Sequence, residues 1–374
     1  MNTERHILVT GGAGYIGSHT VIELLDAGYT PVIADDMRNA HPVILKGVKE
    51  ITGQEILHYS IDITDQSALD HLIKKYKFVG IIHFAANKAV GESVADPLMY
   101  YRNNIGGLVS VLECAQKNQV KNIVFSSSCT VYGDPGEQKE VDEKTPLVKA
   151  NSPYGNTKLI GEQILHDLSL SDPNFKIMSL RYFNPVGAHS SALIGEFPLG
   201  KPNNLLPYVT QTAIGKQAEL TVFGNDYPTP DGTCIRDYIH VCDLANAHVK
   251  ALSWLNTQNA GCNEQVNIGT GKGTSVLELI SAFERISQQK LNWRFGPRRP
   301  GDVTEIFANA DKSKQLLNWE AHRSMEDAVR DGIEFRLHAF AQRVLRQFAM
   351  GAFCTDHRTD QSALTANGLA IKQP

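Results

Sequence analysis

Nowhere in the 374 residues does an apolar stretch approach the about 18 that a spanning helix needs, so no membrane-crossing segment is expected. The strand-like run His6-Ile7-Leu8-Val9-Thr10 lies so close to the initiator that no basic region and apolar signal core fit before it, and a cytoplasmic location is expected. A surplus of one charge is also lacking. Lys plus Arg number 36 and Asp plus Glu 40, a formal charge of −4, which offers no general attraction to nucleic acid or to an anionic membrane. The six cysteines, at 114, 129, 234, 242, 262 and 354, contain no CxxC spacing, and in a chain of this length they read as scattered thiols rather than a disulfide framework or metal site. There is no internal repeat. The length suits about two domains with a sizeable core.

The first 185 residues alternate β-rich runs at 7–10, 31–35, 55–59, 79–84, 122–126 and 176–183 with amphipathic segments at 18–27, 67–76, 97–117 and 153–170. Successive βαβ units of this kind predict an α/β, Rossmann-type, doubly wound parallel sheet, with ligands at the carboxyl ends of its strands. After Asn184 the rhythm breaks into Gly- and Pro-rich loops with shorter elements. The expected division is a cofactor domain over 1–183, to which 237–270 can return, a smaller substrate domain over 184–338, and a loosely ordered tail over 339–374.

Gly11, Gly14 and Gly17 follow the first strand and open a helix near Tyr15. Glycines permit a tight turn and close approach of backbone amides to phosphate, and a helix N-terminus adds partial positive charge. The GxxGxxG spacing, followed at the end of the second strand by Asp35, suits a dinucleotide whose adenosine ribose hydroxyls bond the carboxylate. That carboxylate repels a 2′-phosphate, so NAD is expected rather than NADP. A plain turn would explain the glycines alone, but not strand, helix and acid in this order.

Tyr154 and Lys158 lie four apart on a helix opened by Asn151-Ser152-Pro153, and so share a face. Bringing a phenol from a pKa of about 10 to near 7 requires roughly 4 kcal/mol, a size that one ammonium about 4 Å away supplies at an effective dielectric of about 20. Lys158 is therefore expected to make Tyr154 a general base. Ser126-Ser127-Ser128 ends a predicted strand, and Ser128 is the candidate catalytic hydroxyl.

With these residues in place the chain resembles the extended short-chain dehydrogenase/reductase family, and within it the nucleotide-sugar epimerases, from about residue 6 to about 335. The resemblance also rests on the segments at 83–93, 126–134, 152–155, 181–188, 223–227, 231–241 and 298–302. It implies NAD contacts at Tyr15, Ile16, Asp62, Ile63, Phe84, Ala85, Lys88, Asn103 and Phe183 besides the glycines, Asp35, Tyr154 and Lys158. It implies UDP-sugar contacts at Asn184, Asn204, Leu205, Phe223, Arg236, Tyr238, Arg299, Asp302 and Ile306, with Ser128 and Tyr154 at the sugar. Two arginines suit a diphosphate, and Phe223 can cover uracil. Singly, Arg236 beside Asp237 or Arg299 with Asp302 would read as ordinary ion pairs. Ile306, smaller than tyrosine and larger than cysteine, holds the position whose bulk helps decide whether an N-acetyl group fits.

The implied reaction interconverts UDP-glucose and UDP-galactose, in galactose metabolism, through a transient 4-keto sugar. One retained NAD takes and returns the hydride, and UDP-N-acetylhexosamines are further candidate substrates. A 4,6-dehydratase on the same fold needs an Asp-Glu pair beside the catalytic hydroxyl, where this chain has Cys129 and Thr130. An NAD-sensing binding protein would be marked by loss of Tyr154 or Lys158, and both are present. A homodimer is expected through 97–117 and 153–170.

Overall fold

The computed structural model describes residues 4–148, 150–299 and 301–351, with side chains described as far as 341. Seven parallel strands form the central sheet: β1 (His6–Thr10), β2 (Thr30–Ala34), β3 (Leu57–Tyr59), β4 (Phe78–His83), β5 (Asn122–Ser126), β6 (Lys176–Tyr182) and β7 (Cys262–Ile268), in the order β7-β6-β5-β4-β1-β2-β3. The order reverses between β1 and β4. At such a switch point the loops leaving adjacent strands diverge and open a crevice above the carboxyl ends. Alternate residues face opposite layers: Ile7 and Val9 enter one apolar cluster with helices α1 (Tyr15–Asp26) and α6 (Val241–Thr257), whereas Leu8 enters another with α3 (Gln66–Lys75) and α4 (Gly107–Lys117). Burial on both faces is why these strands read as continuous apolar runs.

Helix α2 (Pro42–Thr52) lies outside the expected helical segments, although Pro42 opens it and Gly53 closes it in the left-handed conformation. The expected helix over 97–117 is three segments, Pro97–Tyr100, a π-helical stretch at Tyr101–Gly106, and α4. Helix α5 (Pro153–Ser171) begins as its residues suggest, with Ser152 Oγ accepting from Gly155 N at 3.1 Å.

Beyond Tyr182 the elements are short. Tyr238–His240 pairs with Asn184–Val186, Trp293–Gly296 with Leu220–Phe223, and Ile235–Arg236 lies between Thr274–Ser275 and Glu305–Ala308. An apolar cluster joins the helices Leu205–Ala213, Val276–Ser287 and Met325–Gly351. The segment 241–268 supplies α6 and the edge strand β7 to the first layer system. The expected tail from 339 is corrected in part: the backbone remains helical to Gly351, continuing a helix whose inner face buries Val329 and Ile333. Residues 352–374, the rest of that expectation, lie outside the described residues. Among the described residues no helix is long and apolar enough to cross a membrane, and no group of His, Cys, Asp and Glu is arranged to hold a metal ion.

Candidate active site

The crevice at the switch point begins with the glycine turn. Gly11 has φ +71°, and a Cβ there would lie 2.7 Å from Ala85 N, while one on Gly17 would collide with Gly11 O. Only glycine allows strand, turn and helix to close this tightly. Gly14 caps α1 with no side-chain hydrogen bond and no acid follows in the first turn, so the first amides, at Tyr15 and Ile16, remain available to an anion. These features fit a dinucleotide pyrophosphate. Phe84 N and Ala85 N both donate to Thr10 O, binding the opposite wall of the crevice to β1.

Asp35 stands beside the turn, accepting from Ala13 N at 3.1 Å and Met37 N at 2.9 Å. Burial raises its pKa despite those two donors, and its remaining lone pairs suit ribose hydroxyls. Asp62 pairs with Arg38, which also pairs with Asp36 and reaches Asn103 Oδ1 at 3.4 Å. Thus Asp35, Asp62 and Asn103 surround one end of the crevice, with Ile63 buried beneath. Arg38 is a further residue at this end, outside the expected contacts. At the other end Tyr15 donates to Gly187 O at 2.7 Å, and Lys88 pairs with Glu196, which also accepts from Asn204 Nδ2 at 2.7 Å. Glu196 therefore ties an expected cofactor residue to an expected substrate residue.

The catalytic candidates converge where β5 and α5 meet. Ser128 Oγ accepts from Thr130 N at 3.2 Å, and the Ser128 hydroxyl lies close enough to the Tyr154 phenol to lower its pKa. Lys158, however, donates to Ser126 O at 2.6 Å, with Nζ 5.0 Å from the centroid of Phe125 and 6.0 Å from that of Tyr154. The expected lowering of the phenol pKa is corrected. Burial, followed by the nearby Tyr182, raises it, and the Ser128 hydroxyl only partly opposes this. Burial likewise lowers Lys158 to about 8, against the charge of Glu162. Desolvation of the buried phenol outweighs what one nearby cation can supply.

Across the crevice, Arg299 binds Asp302 through Nε at 3.1 Å and Nη2 at 2.6 Å, and Arg236 Nη2 lies 3.6 Å from the same carboxylate. Asp302 holds the two guanidiniums together; Asp237, the partner weighed for Arg236, instead accepts from the amides of Thr270, Gly271 and Ala308. Phe223 is 44% exposed with Arg299 6.0 Å from its ring centroid. Asn184 N donates to Asp237 O at 2.9 Å, and Leu205 opens the helix after Asn204. Tyr238 is buried, its pKa pushed up to about 12. Strand register sets Ile306 beside Arg236, and its side chain packs with Val131, Tyr132 and Phe183.

Glu162 and Arg181 were not singled out from the sequence, although Tyr154, Lys158 and Glu162 recur every four residues on one helix face.

The family model described as "NAD dependent epimerase/dehydratase family" matches residues 7–269. The chain is similar to the UDP-glucose 4-epimerase of Bacillus subtilis (strain 168), 53% identical over 326 residues, which are 87% of this chain and 95% of that one. It is also similar to the UDP-glucose 4-epimerase of Dictyostelium discoideum, 52% identical over 325 residues, 87% of this chain and 94% of that one. Among solved structures, that of UDP-glucose 4-epimerase from Bifidobacterium longum in complex with NAD+ and UDP superposes with a TM-score of 0.86 at 43% identity, covering 89% of this chain and 98% of that one.

Proposed function

The chain belongs to the NAD dependent epimerase/dehydratase family, and from that membership we propose that it interconverts UDP-glucose and UDP-galactose by inverting C4 of the hexose. The observation that carries this reading is Tyr154 and Lys158, buried on one face of α5 and accompanied by the Ser128 turn, together with Arg236 and Arg299 gathered on Asp302. Bound there, NAD would supply a hydride acceptor that also gives the hydride back to C4, so that no net redox change would result. Gly11, Gly14, Tyr15, Ile16 and Gly17 would hold its pyrophosphate. Asp35 would take the ribose, Asp62, Ile63 and Asn103 the adenosine end, and Phe84, Ala85, Lys88, Phe183, Tyr154 and Lys158 the remainder.

Tyr154 takes the proton from the 4-hydroxyl at its phenol oxygen and gives it back to the inverted alcohol, while Ser128 holds that oxygen in line. Lys158 is the chain's own cation on the same helix face and stabilises the phenolate as it forms. Two faces of one keto sugar must be presented in turn, so firm binding belongs at the UDP end. Arg236 and Arg299 clamp the diphosphate, Phe223 covers the uracil, and Asn184, Asn204, Leu205 and Tyr238 line the path between, with Asp302 fixing the arginines. Purified protein given UDP-galactose and no added reductant is expected to form UDP-glucose; no interconversion by NAD-loaded protein contradicts the reading.

Activity on UDP-N-acetylhexosamines belongs to the same reading. Ile306 is less bulky than tyrosine at the position that borders the sugar, and comparing UDP-N-acetylgalactosamine with UDP-galactose measures the room beside it. The cofactor role of 1–183 with 237–270, and the substrate role of 184–338, are parts of this proposal, as is a cytoplasmic location. A homodimer is supported by Val94 and Leu98, which expose 63% and 71% of their surface on adjoining short helices packed against α5. Light scattering at twice the monomer mass is the expected result; a stable monomer contradicts it.

A further inference from the structure

We propose that Glu162 and Arg181 form a buried positioning pair that holds the catalytic serine loop against the Tyr154–Lys158 face of α5. The inference rests on the functional reading above and adds two residues that it does not use. Glu162 lies one turn beyond Lys158. Its Oε1 accepts from Ser127 Oγ at 2.5 Å, and Ser127 immediately precedes Ser128. Arg181, on β6, donates from Nε to both carboxylate oxygens at 3.0 and 3.2 Å and from Nη2 to Oε2 at 2.7 Å. Its Nη1 is 3.2 Å from the Tyr132 hydroxyl, which donates to Asn267 Oδ1 at 2.6 Å. Tyr132 ends the short helical turn that Ser128 caps. One ion pair thus fixes both ends of the segment 127–132, and through Asn267 it also reaches β7.

The side chains of Arg181 and Glu162 are 5% and 7% exposed. A buried ion pair is often no better for stability than apolar residues of the same size, so a charged pair here is better explained by the groups it orients. Breaking the segment 127–132 away from α5 would leave Ser128 free to drift from Tyr154. Misplacement of a catalytic group by about 1 Å is enough to slow a reaction severely.

The pair also acts through charge. The titratable groups around Tyr154 and Lys158 are His83 from β4, Tyr100 from the helix preceding the π-helical stretch, Cys129 from the serine turn, Tyr182 from β6, and Glu162. His83 is held neutral by burial and by Lys158 itself, and burial raises the pKa values of Tyr100, Cys129 and Tyr182. Glu162 is the carboxylate that opposes the loss of the proton from Lys158.

The test compares NAD-loaded wild type with E162Q, E162D and S127A in UDP-galactose turnover from about pH 6 to about pH 10, with bound NAD and unfolding midpoint measured on the same samples. E162Q is expected to keep its NAD and a KM within about twofold of wild type, to lose about tenfold or more in kcat at neutral pH, and to move the alkaline limb of kcat toward acid by about one unit. E162D, which retains the charge, is expected to restore the limb to its wild-type position. S127A leaves the ion pair whole and is expected to lower kcat several-fold without moving the limb. Folded, NAD-loaded E162Q with the wild-type limb overturns the proposal, whatever its rate. So does S127A at wild-type kcat, which also decides the matter if E162Q does not fold. An inactive wild type contradicts the functional reading instead; an active wild type with indifferent variants contradicts only this one.

Discussion

The two walls of the crevice handle charge in opposite ways. On the β5–α5 wall, Lys158, Glu162 and Arg181 are nearly sealed from water, and each is matched by a named partner. On the opposite wall Arg299 has a side chain 53% exposed and Phe223 lies open, while Arg236 and Asp302, at 15% and 12%, are partly enclosed and Asp302 draws both arginines to one point. Burial makes charge expensive and therefore strongly coupled to pKa; exposure makes it cheap and screened by salt. The difference teaches which wall does which work. Under the proposed function, proton transfer calls for shifted, fixed groups, whereas a UDP clamp calls for at least one donor, here Arg299, that solvent can reach before the ligand arrives.

The largest expected effect breaks the buried wall. Tyr154→Phe removes the proton acceptor and is expected to lower kcat by about 10²- to 10⁴-fold while bound NAD, measured by release on denaturation, stays stoichiometric. Lys158→Met comes next, with a loss of about 100-fold. Its stability should move the other way. The lysine is held at about 8 rather than 10.5, so it binds its proton more weakly folded than unfolded. Its burial therefore costs stability that is fully present below about pH 8 and is relieved as pH rises toward 10.5. At neutral pH the Met variant is expected to unfold a few degrees higher in calorimetry; a lower midpoint would deny that burying this charge is a cost.

How much of this contrast could be read without coordinates differs between the walls. The glycine turn, the Asp35 position and the Ser152-Pro153 helix start were legible because each depends on neighbours a few residues away. The π-helical turn at 101–106 was not, because the apolar pattern runs through it unbroken. The pairing of Ile235–Arg236 with Glu305–Ile306 joins residues some seventy positions apart, and no local pattern records it. Glu162 was visible as the third member of a four-residue spacing, but its partner sits on a different strand. The phenol pKa was misjudged for the same reason: how deeply Tyr154 is buried is a property of the fold.

Smaller effects probe the exposed wall. Arg236→Met or Arg299→Met is expected to raise the KM for UDP-galactose by about ten- to one-hundredfold, the range for losing a hydrogen bond to a charged group, and to leave kcat within a few-fold. Adding salt should weaken UDP binding in wild type, measured by competition with UDP-galactose, and should do so less in either arginine variant. Phe223→Ala is expected to cost about fivefold in KM, about 1 kcal/mol of stacking. A fall in kcat alone for these variants would mean that the walls do not divide the work in this way.

The central claim is that a hydride leaves C4 and returns to the same carbon, with the chain's own residues moving only the proton. UDP-galactose carrying deuterium at C4, incubated with the purified protein in ordinary water without added NAD or reductant, tests it directly. The account predicts UDP-glucose with the deuterium retained at C4, formed in large excess over the protein. Conversion with loss of the label to solvent, or no conversion by protein that carries NAD, would contradict it.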